Sequence, residues 1–320
     1  MRIGNRRAEF INYRKPGIFM ITMNKLRGIP DFGIVRPKSG TNTDSPVIHT
    51  AFSTMGACVF TALSNLSLLA PHLKRMRAVI MPDHIHFLVR IMAEMEQPLG
   101  YHMAVFKREA LRIAIDRNLL PAGTKSMFQT GFNDQFLRHS RSLDVLYNYI
   151  DSNPDRLWSR IKNPKFFSRI TNAKILGEEC SLYGNLGLLQ NPFIYPVIVH
   201  RSDVGKTLEN KLAFWRYGMA NGGVLVGAFI ADMEGKIFKG AAGYGGKLIL
   251  ISRRQLDPRQ KPSGILYRLC ERGQLLIIMP KITFPRPADG RLSRGECLFM
   301  NHFAERLAAA VKQGELSYLR

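Results

Sequence analysis

The chain has 320 residues, with 46 Lys and Arg against 24 Asp and Glu for a formal net charge of +22. An apolar share of 46% and a charged share of 22% exclude an intrinsically disordered chain, and the length allows two domains, each with its own core. A charge surplus this far beyond what solubility needs points to a polyanionic partner, nucleic acid or an anionic membrane surface.

The surplus is spread along the chain. Residues 1–190 hold 26 basic and 14 acidic side chains, residues 191–320 hold 20 and 10, and the first 77 are the most one-sided, with 12 and 3. Cys58, Cys180, Cys270 and Cys297 lie far apart without a C-x-x-C pair, which fits reduced thiols of a cytoplasmic protein and not a disulfide framework or a zinc knuckle. The opening "MRIGNRRAEF" lacks the apolar run of a signal peptide.

In chain order, "GIFMITMNKL" (17–26) reads as a strand and "DFGIVRP" (31–37) as its hairpin partner. A Gly/Ser/Thr/Asp-rich loop leads into residues 47–70, which contain no charged residue. Phe52, Met55, Val59, Leu63 and Leu66 recur at helical spacing there, so the run is expected to be a helix packed on a sheet; His49, Asn65 and several hydroxyls argue against a membrane span. "MRAVIMP" and "HIHFLVRI" are two strands joined by the turn-like "PD". Residues 98–119 form an amphipathic helix, 126–140 an irregular segment, and 142–161 a helix with a break at Asn153–Pro154, because a residue before proline avoids helical backbone. This order predicts an α+β fold, helices on an antiparallel sheet in a ferredoxin-like sandwich. After about residue 190, apolar strands alternate with helices, which predicts a smaller α/β domain with a parallel, Rossmann-like sheet. The expected division is 1–175 and 190–320.

"MPDHIHFLVR" (81–90) carries the first candidate chemistry. Alternate strand residues share a face, so His84 and His86 project side by side, about 7 Å apart along the strand. Such a pair suits a divalent cation, although two unrelated core histidines give the same local pattern. "YNYIDSNP" carries the second. Tyr149 and Asn153 are four apart on a helix and share a face. The Asn153 amide oxygen suits a hard ion such as Mg²⁺ or Mn²⁺. A metal held by two imidazoles and an amide keeps positions for phosphate oxygens, and a tyrosine beside it has the logic of covalent catalysis. A tyrosine packed on the sheet and an asparagine at a helix end would be the structural alternative.

"MPDHIHFLVR", "FQTGFNDQFLR" and "YNYIDSNPDRLW", in that order, resemble the single-tyrosine HUH transposases, in particular their REP-associated tyrosine transposase branch. The resemblance covers about residues 10–170. It implies His84, His86 and Asn153 as metal ligands and Tyr149 as nucleophile, with Tyr147, out of phase, as the substitute. It further implies Mg²⁺-dependent cleavage and rejoining of single-stranded DNA beside a hairpin, through a covalent phosphotyrosine; a homodimer is compatible with it. Arg7, Arg14, Lys15, Arg138 and Arg141 are candidates for the DNA backbone. Phe128, Phe132 and Phe136 suit base stacking or, as the more ordinary outcome, the core. The alternative function is a non-catalytic DNA-binding or nucleotide-sensing regulator on a retired transposase fold.

The second half is an addition to that pattern. "GGVLVGAFI", "AAGYGGKLILISRR" and "LYRLCERGQLLIIMP" resemble, distantly, Rossmann-type nucleotide- or DNA-binding domains of the DprA and SLOG kind. "DVGKT" (203–207) fails as a phosphate loop because His200 stands where the motif needs glycine, and "GYGG" (243–246) reads as a helix end and turn. These residues leave the ligand of that domain open.

Overall fold

The structure, a computed structural model, describes residues 11–40, 46–137, 142–257, 260–284 and 290–314. The chain divides into two compact units, Met1–Trp158 and Ser159–Arg320.

In the first unit the elements are β1 (Gly17–Asn24), β2 (Gly33–Pro37), β3 (Ile48–Phe52), α1 (Thr54–Ser64), α2 (Leu66–Leu69), β4 (Leu73–Ile80), β5 (His84–Ile91), α3 (Leu99–Asp116), β6 (Asn133–Phe136), α4 (Ser142–Asp151) and α5 (Asn153–Lys162), the last running across the division. Four strands form one sheet in the order β4-β5-β1-β6, and every pairing is antiparallel. The expected α+β architecture is present.

Period-two alternation decides what each face of this sheet does. Phe19, Ile21 and Met23 of β1 and Ile85, Phe87 and Val89 of β5 face α1 and α3, and make the main core with Cys58, Val59, Met103, Phe106 and Ala110. The opposite face carries Met20 and Leu88, covered by Leu146 and Ile150 of α4. Helix α1 starts where Ser53 caps it, its hydroxyl accepting from the Gly56 N–H at 3.1 Å and donating to the Asp31 carbonyl at 2.7 Å. The helix meets the preceding loop so closely that a Cβ on Gly56 would lie 1.8 Å from the Phe32 carbonyl oxygen. Only glycine allows that approach.

Several expectations need correction. Residues 31–37 do not pair with β1, whose two edges are taken by β5 and β6; they pair with β3 in a separate two-stranded sheet. The uncharged run 47–70 is therefore not one helix, since Ile48–Phe52 is the partner strand and the helix begins only after the Ser53 cap. The segment 126–140, expected to be irregular, contains β6. The break near the proline falls at Ser152, one residue ahead of the expected pair, with Pro154 in the first turn of α5, where its missing N–H costs least.

In the second unit the elements are β7 (Ser168–Ile175), β8 (Glu178–Gly184), β9 (Ile194–Pro196), α6 (Gly205–Ala220), β10 (Val224–Gly227), α7 (Asp232–Gly243), β11 (Lys247–Ile251), α8 (Gly264–Glu271), β12 (Leu275–Pro280) and α9 (Arg294–Gln313). They build a six-stranded sheet ordered β7-β8-β12-β11-β10-β9. β9 to β12 are parallel, as expected, and the β7–β8 hairpin closes the β12 edge antiparallel. Strands 168–175 and 178–184 thus belong to this sheet, so the units part at Trp158–Ser159 and not after residue 175, and the second is no smaller than the first.

The parallel strands follow one another consecutively, without the reversal of a doubly wound sheet. Crossovers of one hand stepping in one direction place their helices on one face. Accordingly Trp215, Ala241, Ala242 and Leu269 of α6, α7 and α8 pack on Leu225, Leu248 and Ile277. The other face is covered by Met300, Phe303 and Leu307 of α9 against Val226, Ile249 and Ile278. "GYGG" is a helix end and turn, with Gly243 closing α7 and Gly245 at φ +78°. Glu234 ties down two loops at the carboxyl edge of the strands: its carboxylate is buried and accepts the backbone N–H groups of Val199, Ile230 and Ala231 at 2.9, 2.8 and 3.2 Å.

Candidate functional site

The α4 face of the first sheet holds the candidate chemistry. Residues paired across antiparallel strands share a face. The register sets Met20 opposite Leu88, Thr22 opposite His86 and Asn24 opposite His84. Towards the sheet end where β5 begins, this face therefore changes from apolar to polar.

His84 and His86 converge there. Their Nε2 atoms lie 3.1 Å apart, with the rings edge to face at 4.6 Å between centroids. Each opposite ring nitrogen is engaged, His84 Nδ1 with Asp83 Oδ1 at 2.7 Å and His86 Nδ1 with Thr22 Oγ1 at 2.8 Å. Engaging Nδ1 is what frees Nε2 for a ligand role and fixes the ring's orientation. Burial, and after it the neighbouring His84, push the His86 pKa down to about 3, so its imidazole is neutral at physiological pH, the form that binds metals. The spacing also fits a hard octahedral ion: two ligands about 2.1 Å from it at right angles stand about 3.0 Å apart. Among the described residues no group of three or more His, Cys, Asp and Glu side chains is arranged to hold a metal. An ion at this pair would have to complete its shell from other oxygens.

Helix α4 brings Tyr149 to the pair, its ring 5.5 Å from that of His86. Tyr147 points elsewhere, its ring 5.7 Å from the Arg77 guanidinium, as two residues of helical rotation demand. Arg77 of β4 also holds Asp151 at the end of α4 through a bidentate ion pair of 2.7 and 2.5 Å, which fixes the helix on the sheet. The Arg156 guanidinium lies 5.3 Å from the Tyr149 ring centre. Pro154 has no N–H to give the Ile150 carbonyl, and one residue earlier the Asn153 side-chain amide donates to the Tyr149 carbonyl at 2.6 Å. That bond leaves the Asn153 amide oxygen as its acceptor atom and joins α5 to α4 across Ser152, so Tyr149 and Asn153 do not share one helix as expected.

The remaining sequence candidates are dispersed. Arg14 and Lys15 are exposed in the turn before β1, about 20 Å along that strand from Thr22. Arg7, Arg138 and Arg141 lie outside the described residues. Phe128 is core, its ring tilted against those of Phe32 and Phe106 at 5.6 and 5.9 Å between centroids, and Phe132 and Phe136 pack against the same core. Phe128 is thus withdrawn from base stacking. Sequence reasoning missed Thr22, Asp83, Arg77 and Arg156. Asp83 stands next to His84 in the chain and was visible as a neighbour; the Thr22 contact depends on a register 64 residues apart. Among the described residues no helix is long and apolar enough to cross a membrane.

No protein-family model matches the chain, and no curated protein does. A solved structure of a REP-associated tyrosine transposase bound to a REP hairpin is similar to it at 16% identity, over 48% of this chain and 74% of that one, with a TM-score of 0.31. Overlap of that extent carries neither fold nor function across.

Proposed function

We propose that the first unit is a metal-dependent single-stranded DNA endonuclease and strand transferase of the HUH type, acting through Tyr149. The observation that carries this reading is the convergence of the two Nε2 atoms at 3.1 Å beside the Tyr149 ring. His84, His86 and the Asn153 amide oxygen would hold Mg²⁺ or Mn²⁺. When bound, the ion polarises a phosphodiester and offsets charge developing on its oxygens. Tyr149 Oη attacks phosphorus, the bond to one deoxyribose oxygen breaks, and that oxygen leaves with a proton while the phenol proton passes to solvent. The strand end stays on the enzyme as a phosphotyrosine, and reversal with another strand's hydroxyl rejoins DNA. Thr22 and Asp83 would orient the imidazoles by accepting from Nδ1–H, which presents Nε2. Arg156 supplies a positive charge beside the nucleophile, where a phosphate would arrive.

The test is a denaturing gel of the full chain with labelled, hairpin-bearing single-stranded DNA that includes the flanks of its own gene, with Mg²⁺ or Mn²⁺ and with EDTA. A metal-dependent covalent adduct, absent in Tyr149→Phe and retained in Tyr147→Phe, is expected. Tight binding with no adduct on any substrate would instead support the non-catalytic regulator.

A further inference from the structure

The polar half of the catalytic face extends past the histidines. On β6, Asn133 lies opposite Thr22 and Gln135 opposite Met20, so both share the face of His86. With Asn24 opposite His84 they make a row of three exposed amides beside the histidine pair. Helix α4 packs chiefly over β4, on the far side of β5, and reaches Met20 through Leu146 and Ile150, while among the described residues Asn24, Asn133 and Gln135 stay exposed.

A sheet face that is merely solvated usually mixes Lys, Arg, Glu and Thr. Here, in a chain of net charge +22, Thr22, Asn24, Asn133 and Gln135 include no charge at all. The backbone that carries the row is held in place. On the reverse face the Tyr13 hydroxyl donates to Asp134 Oδ2 at 2.8 Å, which keeps Asn133 and Gln135 turned outward. Beyond Asn24, the Gln129 N–H continues the ladder to the Asn24 carbonyl at 2.9 Å, and the Lys107 ammonium grips the Gln129 carbonyl at 2.7 Å. Amides on a fixed strand backbone, which carry a donor and an acceptor side by side, suit base edges, adenine above all, whereas they add nothing to non-specific attraction for phosphates.

We propose that Asn24, Asn133 and Gln135 read the bases of the single strand next to the scissile phosphate and so set where the chain cuts. The inference rests on the reaction proposed above. It distinguishes the roles of two sets of residues: basic side chains hold the backbone, and the amide row selects the site.

The experiment uses the full chain and a pool of hairpin DNA with randomised single-stranded flanks. Covalent adducts formed with Mn²⁺ are captured and their flanks sequenced. The wild type is expected to prefer particular bases near the cut, adenine among them. Asn24→Ala, Asn133→Ala and Gln135→Ala should each flatten the preference at one position by about tenfold, leaving other positions and the salt dependence unchanged. Asn133→Asp keeps the size and swaps the donor for an acceptor, and should move the preference at its position from adenine towards cytosine. Thermal melting of each variant checks that it is folded. Adducts with the wild-type preference in every amide variant would overturn the base-reading role and leave the reaction standing; no adduct from the wild type would overturn both.

Discussion

The two sheets differ in how they use their faces. In β5 of the first unit, odd-numbered residues face the main core while His84 and His86, between them, face the candidate site. In β12 of the second unit, Ile277 packs under α6–α8 and Ile278 under α9, so both faces are core. A parallel sheet covered on both sides has its chemistry displaced to the loops at the strand ends, whereas a half-covered antiparallel sheet can place functional side chains on the strands themselves, where register fixes them.

Alternate substitutions along one strand break or sharpen that comparison. The largest effect is expected from Phe87→Ala, whose buried ring fills the first core; loss of about 3–5 kcal/mol in denaturant unfolding is the outcome that supports the face assignment. In the second unit, Ile277→Ala and Ile278→Ala should each cost about 2–5 kcal/mol although they point in opposite directions. If one of the two proves neutral, the doubly covered sheet is wrong. On the site face of β1 the contrast reverses. Thr22→Val keeps the shape, removes the His86 Nδ1 partner, and should leave the melting temperature nearly unchanged while weakening Mn²⁺ binding about 10–100-fold in calorimetric titration. Arg77→Ala removes a half-exposed pair with Asp151, so stability should fall by no more than about 1 kcal/mol.

The smallest effect concerns acid. The Ser293 backbone N–H, and then Arg253, hold the Glu296 carboxylate below its ordinary pKa. A depressed folded-state value means the stabilisation is complete above the unfolded pKa of about 4.3 and is lost as pH falls through the lower folded one. Second-unit unfolding followed between pH 7 and 3 should lose that stabilisation only at the acid end, and Glu296→Gln should flatten the fall.

Periodicity made the site's main parts legible. The His-x-His alternation and the opposed direction of Tyr147 follow from strand and helix geometry within short windows, whereas Tyr149 and Asn153, expected on one helical face, stand on α4 and α5 on either side of Ser152 and meet through the Asn153 amide and the Tyr149 carbonyl. Pairing between distant segments was not legible. Residues 48–52 read as helix because their apolar spacing is compatible with one, and only the availability of β2 as a partner makes them a strand. The amide row was hidden for the same reason, since Asn133 meets Thr22 across 111 residues of sequence. The β7–β8 hairpin was overlooked because "SRITNAKI" is polar and its two-residue turn sets Leu176, a poor choice for left-handed backbone, at φ +54° beside Gly177 at +86°.

The strand order of the second sheet also bears on how the chain is made. β7 and β8 leave the ribosome ahead of β9, β10 and β11, yet β8 pairs with β12, the last strand of the sheet to be synthesised. Until Leu276–Pro280 arrive to meet Gly184–Cys180, one edge of the hairpin has no partner and the growing parallel strands cannot dock on it. The hairpin is the first part of this unit to be available and the last to be built in, and during that interval it is the segment most exposed to a wrong partner.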